Sequence, residues 1–410
     1  MADVAVLDIR MYGKPIGALT RLPDDTNIFA FNQDYINDQS RPTLSLSFKD
    51  RYGGLITETK PARTRVSPLF ANLLPEGKMR DYLAERAGVD PQREFFLLWV
   101  LGRDLSGAIE ILPADGKSWP EDASDEIEDG KRRRKKDTAL HFSLAGVQLK
   151  FSAVKQAAGG LTIPVDGTGG SWIVKLPSTT HEGVPENEYA MMELARRIGI
   201  DVPETQLVPI EDIGSLPEGI EVAGPYAFAI RRFDRTGDGE RVHIEDFAQI
   251  FGLYPETKYK AANYENIASV IWAEIGEQGI AEFVRRTVFN ALIGNGDMHL
   301  KNWSLIYSDR RKAALAPAYD FVSTIPYVKE DRLALNLAGS KDFNALTDAQ
   351  FERFAAKARL SKRLVLDTLN ETVRNFAEVW NDTRDLAIAK PVKRIIDAHL
   401  REIPIWTSRQ

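Results

Sequence analysis

An acidic run followed at once by a basic one, at residues 121–136, constrains this chain more than any other feature. Residues 121–129 carry six acids (Glu121, Asp122, Asp125, Glu126, Glu128 and Asp129), and residues 131–136 are six consecutive bases, Lys131 to Lys136. A segment so charged and so poor in apolar side chains cannot bury enough surface to offset the entropy lost on ordering. It reads as an exposed linker or mobile loop over 115–138, and the chain must fold as parts on either side of it. A length of 410 residues leaves room for two or three domains, at about 100–200 residues each. The expected division is an N-terminal subdomain over 1–114, the linker over 115–138, a strand-rich part over 139–236 and a helical part over 237–410.

The basic run reads first as a solvated connector. The sharper alternative, a phosphate-binding arm, requires a partner. The whole chain does not favour a bulk electrostatic grip on nucleic acid, since 53 basic minus 59 acidic residues leaves −6. Cysteine is absent, which excludes disulfides, thiolate nucleophiles and cysteine-ligated zinc or iron–sulfur sites. No apolar run reaches the roughly 18 residues of a membrane span. The start, Met1-Ala2-Asp3-Val4, lacks the basic opening and apolar core of a secretory signal. The expectation is a cytoplasmic protein with no membrane partner.

Before the charged segment, Val4, Val6 and Ile9 begin a short apolar segment, with a turn at Gly13-Lys14-Pro15. Leu44, Leu46 and Phe48 alternate with polar residues, which predicts a half-buried strand. Pro68 is placed to open a helix through Leu74, and Phe95–Leu101 is a second apolar run. After the charged segment, Leu140–Val154, Leu161–Leu176 and Tyr226–Phe233 have strand character. Between the last two, Glu186–Ile198 predicts a helix, with Pro185 at its first turn and Gly199 at its end. From about 245 onward the pattern is helical, including an apolar face over Ala281–Leu292 and a capping-box spacing at Thr347-Asp348-Ala349-Gln350.

The chemistry concentrates in Gly294-Asn295-Gly296-Asp297-Met298-His299-Leu300-Lys301-Asn302. Two glycines around Asn295 permit a tight backbone path. Asp297 and Asn302 stand at the interval that separates base and magnesium ligand in the protein-kinase catalytic loop. Phosphoryl transfer explains the residue types. A carboxylate accepts the proton of the attacking hydroxyl, an amide oxygen is a hard magnesium ligand, and a nearby lysine neutralises charge on the moving group. The bland alternative is a polar turn between a helix and a strand, with Asp297 as a cap.

Downstream, Asp320 lies among apolar neighbours in Ala318-Tyr319-Asp320-Phe321-Val322-Ser323, where an unpaired carboxylate would be costly unless a cation offsets it. It corresponds to the second metal-binding aspartate of a kinase; the alternative is a carboxylate satisfied by backbone amides. Upstream, Lys175 interrupts the apolar strand Trp172–Leu176, as the nucleotide lysine does in kinases. Glu188, with Glu186 as a competitor, stands at the start of the following helix to pair with it. Ser143-Leu144-Ala145-Gly146-Val147-Gln148-Leu149-Lys150 is a small-residue loop whose amides could approach phosphate, though alone it reads as an ordinary hairpin. Loop, lysine, glutamate, Asp-x-x-x-x-Asn and second aspartate come in the order a two-lobed kinase requires. The expected class is α+β: a bilobal protein-kinase-like fold with an additional N-terminal α/β subdomain.

These residues together resemble the HipA-type serine/threonine kinases, the toxin halves of bacterial type II toxin–antitoxin pairs. The likeness rests on Ser143–Lys150, Ile173–Pro177, Glu186–Tyr189, Arg232-Phe233-Asp234-Arg235, Gly296–Asn302 and Tyr319–Ser323, with Asn72–Pro75 and Gly102-Arg103-Asp104 in the N-terminal part. The resemblance implies ATP and Mg2+ as cofactors. It implies Asp297 as proton acceptor and Asn302 and Asp320 as metal ligands. Nucleotide contacts implied are Ala145, Gly146, Val147, Gln148, Leu149, Lys150, Lys175, Arg231, Arg232, Phe233, His299, Lys301, Asn302, Tyr319 and Asp320, with Arg231–Phe233 on the adenine side. Ser143 is implied as the autophosphorylated position. Leu149, where some members carry an acid, and Arg231, where an acid can precede the Arg-Phe-Asp-Arg element, depart from the pattern.

Implied partners are a protein substrate of the translation machinery, such as glutamyl-tRNA synthetase, and a HipB-like helix-turn-helix antitoxin. DNA would be met only indirectly, through the antitoxin complex. Two other readings stay open at this point: a small-molecule kinase of the aminoglycoside-phosphotransferase type, and a catalytically degenerate antitoxin-binding co-repressor.

Overall fold

The structure, a computed structural model, describes residues 5–114, 149–155, 160–164, 169–216 and 222–409. The charged segment and the loop from Ser143 to Gln148 lie outside the described residues.

The N-terminal part is an antiparallel sheet with helices on it. Strands β1 (Ala5–Met11), β2 (Lys14–Arg21), β3 (Thr26–Phe31), β4 (Ala62–Arg63) and β5 (Ile109–Pro113) run in the order β4-β3-β2-β1-β5. Alternate residues of β1 (Ala5, Leu7, Ile9 and Met11) are buried, as strand periodicity requires. Helices α1 (Gln33–Asn37), α2 (Pro68–Ala71), α3 (Gly77–Ala87) and α4 (Glu94–Leu101) complete it. The segment expected as a strand at Leu44–Phe48 is instead a 3₁₀ turn over Leu46–Phe48. The hydroxyl of Ser45 accepts from Ser47 N at 3.1 Å, and the buried Glu245 carboxylate accepts from Ser45 Oγ at 2.6 Å and Leu46 N at 3.0 Å. These local bonds outcompete a ladder.

The second sheet comprises β6 (Lys150–Lys155), β7 (Leu161–Thr162), β8 (Trp172–Lys175), β9 (Thr205–Pro209), β10 (Ile213–Gly214) and β11 (Tyr226–Arg231), in the order β10-β7-β6-β8-β11-β9. Helix α5 (Val184–Arg197) packs on it. The central strands β8 and β11 are apolar at nearly every position because they are covered on both faces. Trp172, Val174, Ala227 and Ala229 join the N-terminal core, whereas Phe228 and Ile230 join the core of the helical lobe. The N-terminal part and the strand-rich lobe therefore share one apolar core.

The remainder is mainly helical. A small sheet of β12 (His243–Asp246), β13 (Ser304–Tyr307) and β14 (Ala314–Leu315) floors the cleft. Around it stand α6 (Phe247–Ile250), α7 (Tyr264–Glu274), α8 (Glu277–Leu292), α9 (Asp348–Lys357), α10 (Lys362–Trp380), α11 (Lys390–Leu400) and α12 (Pro404–Thr407). Only half of the capping box expected at Thr347 forms. Thr347 Oγ1 accepts from Gln350 N, but the Gln350 side chain donates to Leu337 O at 2.7 Å. Reciprocal boxes occur at Asp246/Gln249 and Asn263/Asn266. Among the described residues no helix is long and apolar enough to cross a membrane.

Candidate active site

A cleft of about 560 Å³ opens between the strand-rich and helical lobes, within the size of small-ligand sites. The end of α8 delivers residues 294–302 to it. Gly294 turns with φ +65°, and a side chain there would collide with Ile325. A Cβ on Gly296 would meet the Asp331 carboxylate, so both glycines serve close approach. Asn295 is the local brace. Its Oδ1 accepts from Asp297 N at 3.0 Å, and its Nδ2 donates to Asn290 Oδ1 at 2.7 Å and to Asp320 O at 3.4 Å. Asn302 Nδ2 donates to Asp297 O at 2.9 Å, which leaves the amide oxygen as the group able to hold a cation.

Asp320 comes from a different segment and lines the same cleft as Asp297 and Asn302. Its backbone adopts φ +58°, the left-handed conformation that aspartate takes more readily than most non-glycine residues. The following turn is tied to α5 by Asn187, which donates to Ser323 O at 2.9 Å and accepts from Ser323 N at 3.2 Å.

Register brings the lysines together. Lys150 of β6 lies directly opposite Lys175 of β8, a like-charge pairing that costs stability in a sheet unless anions face it. The anions are Glu188, 2.5 Å from Lys175 Nζ, and Asp320, also in contact with it. Glu188, not Glu186, makes the lysine's pair.

The electrostatics follow from burial opposed by these charges. Burial alone would raise the Asp320 carboxyl, but Lys175 and Lys150 outweigh it and hold it down at about 2. Glu188, more deeply enclosed, is pushed up to about 7 despite Lys175. Lys175, between two carboxylates, stays charged, its pKa raised. Burial lowers Lys150 to about 8, with Lys175 and Lys301 adding repulsion and Asp320 opposing. Asp297 is raised by burial, partly offset by a hydrogen bond from the Tyr259 hydroxyl to its Oδ1, which suits a carboxylate meant to accept a proton.

The remaining expected residues are distributed as follows. His299 is buried and neutral, lowered to about 3 by desolvation and Lys258, and its Nδ1 has no hydrogen-bond partner among the described residues. Phe233 and Tyr319 line the cleft with ring centroids 5.6 Å apart. Leu149 and Arg231 also line it. The Arg232 guanidinium is committed to Asp104, Asp234 and Ser152 Oγ in a buried network. The Lys301 ammonium is held by Glu76 Oε1 at 2.6 Å and Asn72 O at 3.2 Å. Ser143, Ala145, Gly146, Val147 and Gln148 lie outside the described residues.

The donor set fits a nucleotide that carries Mg2+. Among the described residues no cluster of three or more histidines or acids forms a cage for a bare ion. One carboxylate and one amide oxygen suit a cation that keeps waters and takes its other ligands from phosphates. His299, Lys150 and Lys175 line the same cleft.

Sequence reasoning missed Tyr259, Glu76, Lys258 and the bracing role of Asn295. Only Asn295 and Glu76 had a local signal, inside or beside motifs already singled out.

The HipA-like C-terminal domain family matches residues 142–380, and the HipA N-terminal domain family matches residues 7–112. A Sinorhizobium fredii protein, Y4dM, described as a candidate kinase, is 54% identical over 99% of both chains. The serine/threonine-protein kinase toxin HipA of Shewanella oneidensis is 27% identical over 77% of this chain and 76% of that one. The solved structure of Shewanella oneidensis HipA with HipB and operator DNA matches with a TM-score of 0.71 at 24% identity, over 98% of this chain and 99% of that chain. This last likeness speaks for the fold.

Proposed function

The chain belongs to the HipA-like kinase family, and on that premise we propose that it is an ATP- and Mg2+-dependent serine/threonine-protein kinase, the toxin half of a type II toxin–antitoxin pair. The observation that carries the reading is the meeting of Asp297, Asn302, Asp320 and the Lys175–Glu188 pair in one cleft, although they come from four separate segments.

Asn302 Oδ1 and Asp320 would hold Mg2+, which, when bound, supplies charge neutralisation at the β- and γ-phosphates. Lys175 and Lys150 grip the phosphates from the sheet side. Phe233 and Tyr319 give the base an apolar wall. Asp297, oriented by Asn295 and Tyr259, accepts the proton of a serine or threonine hydroxyl as its oxygen bonds to the γ-phosphorus and the bridging P–O bond to ADP breaks.

A HipB-like antitoxin is proposed as partner, supported by the Shewanella complex, with DNA met through that partner. Ser143 is proposed as an autophosphorylation site. A phosphate there adds about −1.5 to −2 charges, which would repel a triphosphate bound nearby. A cytoplasmic location and a protein target, with the translation machinery as its class, complete the proposal.

Purified protein incubated with γ-labelled ATP and Mg2+ should place label on Ser143 and on serine or threonine of a protein target, located by mass spectrometry. The label should vanish in Asp297→Ala. Transfer to small alcohols alone would replace this reading with a small-molecule kinase, and absence of nucleotide binding would replace it with an antitoxin-binding scaffold.

A further inference from the structure

One carboxylate in the cleft does not come from the kinase lobes. Glu76 lies between α2 and α3, in the N-terminal part, and lines the same cleft as Asp297. It is the N-cap residue of α3, where the positive end of the helix favours a negative charge. Its two oxygens divide between two buried ammonium groups, Oε1 to Lys301 Nζ at 2.6 Å and Oε2 to Lys258 Nζ at 2.9 Å. Burial would raise Glu76, but the two lysines hold it at about 2, so it is a permanent anion.

The position of the lysines makes this contact consequential. Lys301 is one residue from Asn302. Lys258 adjoins Tyr259, whose hydroxyl bonds to Asp297 Oδ1. The other acids lining the cleft are Glu188, Asp234, Asp246, Asp297 and Asp320, of which Glu188 pairs with Lys175 and Asp234 with Arg232 and Arg235. Asp246 already accepts from Gln249 N in the cap of α6, and Asp320 already faces Lys175. Lys301 acts on Asp246 and Lys258 on Asp297, so Lys258 deprived of Glu76 would turn to Asp297, because an unpaired buried charge is costly. Such a pair would occupy the carboxylate that the substrate hydroxyl needs.

We propose that Glu76 is a positioning residue of the kinase site, supplied by the N-terminal part, that holds Lys258 off the catalytic carboxylate. The inference rests on the kinase reading above. It means that the two kinase lobes alone do not make a competent site.

The test is a charge rescue in the full-length chain. Glu76→Gln and Glu76→Ala should each lower kcat by about 10² while KM for ATP moves less than about 3-fold, as expected when the base is blocked rather than nucleotide binding lost. Adding Lys258→Met to Glu76→Ala removes one liberated ammonium, and kcat should recover by about 10-fold or more over the single variant. Unchanged kcat in Glu76→Gln overturns the proposal, as does a double variant no better than the single one. A wild-type chain that transfers no phosphoryl group would refute the kinase reading instead. A readout independent of activity is the crystal structure of Glu76→Gln. It should show Lys258 Nζ within hydrogen-bond distance of an Asp297 carboxylate oxygen, and a Lys258 ammonium clear of Asp297 would overturn the proposal.

Discussion

Tyr259 illustrates how the site is assembled from single side chains. Its hydroxyl donates to Asp297 Oδ1, its ring meets His299 edge-on at 4.9 Å, and its carbonyl accepts from Lys341 Nζ at 3.1 Å. On the proposed reading, the hydroxyl fixes which Asp297 oxygen faces the substrate. Tyr259→Phe should lower kcat by about 10-fold, the worth of one hydrogen bond to a charged group, with ATP affinity unchanged by calorimetry. A variant as fast as wild type would show that the contact does not orient the base. Asp320→Ala should abolish Mg2+-dependent ATP turnover while the far-ultraviolet circular dichroism spectrum persists, since Lys175 keeps Glu188 as partner. Unchanged turnover would put the metal elsewhere. That Asp297, Asn302, Asp320 and Lys175 meet in one cleft was legible in the sequence, because the chemistry proposed for them sets residue type and order. Tyr259 and Glu76 were not, because their partners lie 38 and 225 residues away and no periodicity links them.

Among the elements, β6 and β8 and the segment joining β11 to β12 do the most for the site. The sheet register sets Lys150 opposite Lys175, and α5 then presents Glu188 to the second of them. The segment after β11 is anchored by Arg232 and Arg235, whose guanidinium groups share Asp104 and Asp234 out of solvent. Asp104 belongs to the N-terminal part, so its removal leaves two buried cations with one carboxylate. Asp104→Ala should cost about 3–5 kcal/mol in denaturant unfolding, and a loss below about 1 kcal/mol would mean that the network is not what fixes this joint. Strands β8 and β11 could be read from composition, since burial on both faces leaves largely apolar runs, whereas the short strands β9 and β10 were not expected. The turn at Leu46–Phe48 could not, because its alternating pattern imitates a strand and the carboxylate that claims Ser45 and Leu46 sits about 200 positions later in the chain.

At the scale of the molecule, the N-terminal part is built into the kinase rather than appended to it. It shares a core with the strand-rich lobe and reaches the helical lobe through Glu76, Lys49–Glu274 and the bonds from Ser45 and Leu46 to Glu245. Glu245 is wholly buried at that junction and pushed up to about 7 by desolvation from its ordinary 4.5. The folded chain keeps its proton over a range where the unfolded chain releases it, so this group takes away stability as pH rises from about 4.5 to about 7, by at most roughly 3 kcal/mol. Glu245→Gln cannot titrate. The unfolding free energy of that variant minus that of wild type should increase across the window, and a difference flat with pH would contradict the burial. The organisation into a strand-rich and a helical lobe was legible from the order of motifs, whereas the penetration of the N-terminal part into the catalytic cleft was not, because only folding brings Asn72 and Glu76 to Lys301. The most direct test of the whole account is a crystal structure with Mn2+ and a non-hydrolysable ATP analogue. The anomalous peak should fall between Asn302 Oδ1 and Asp320, with the γ-phosphate turned toward Asp297. Metal or nucleotide bound outside this cleft would contradict it.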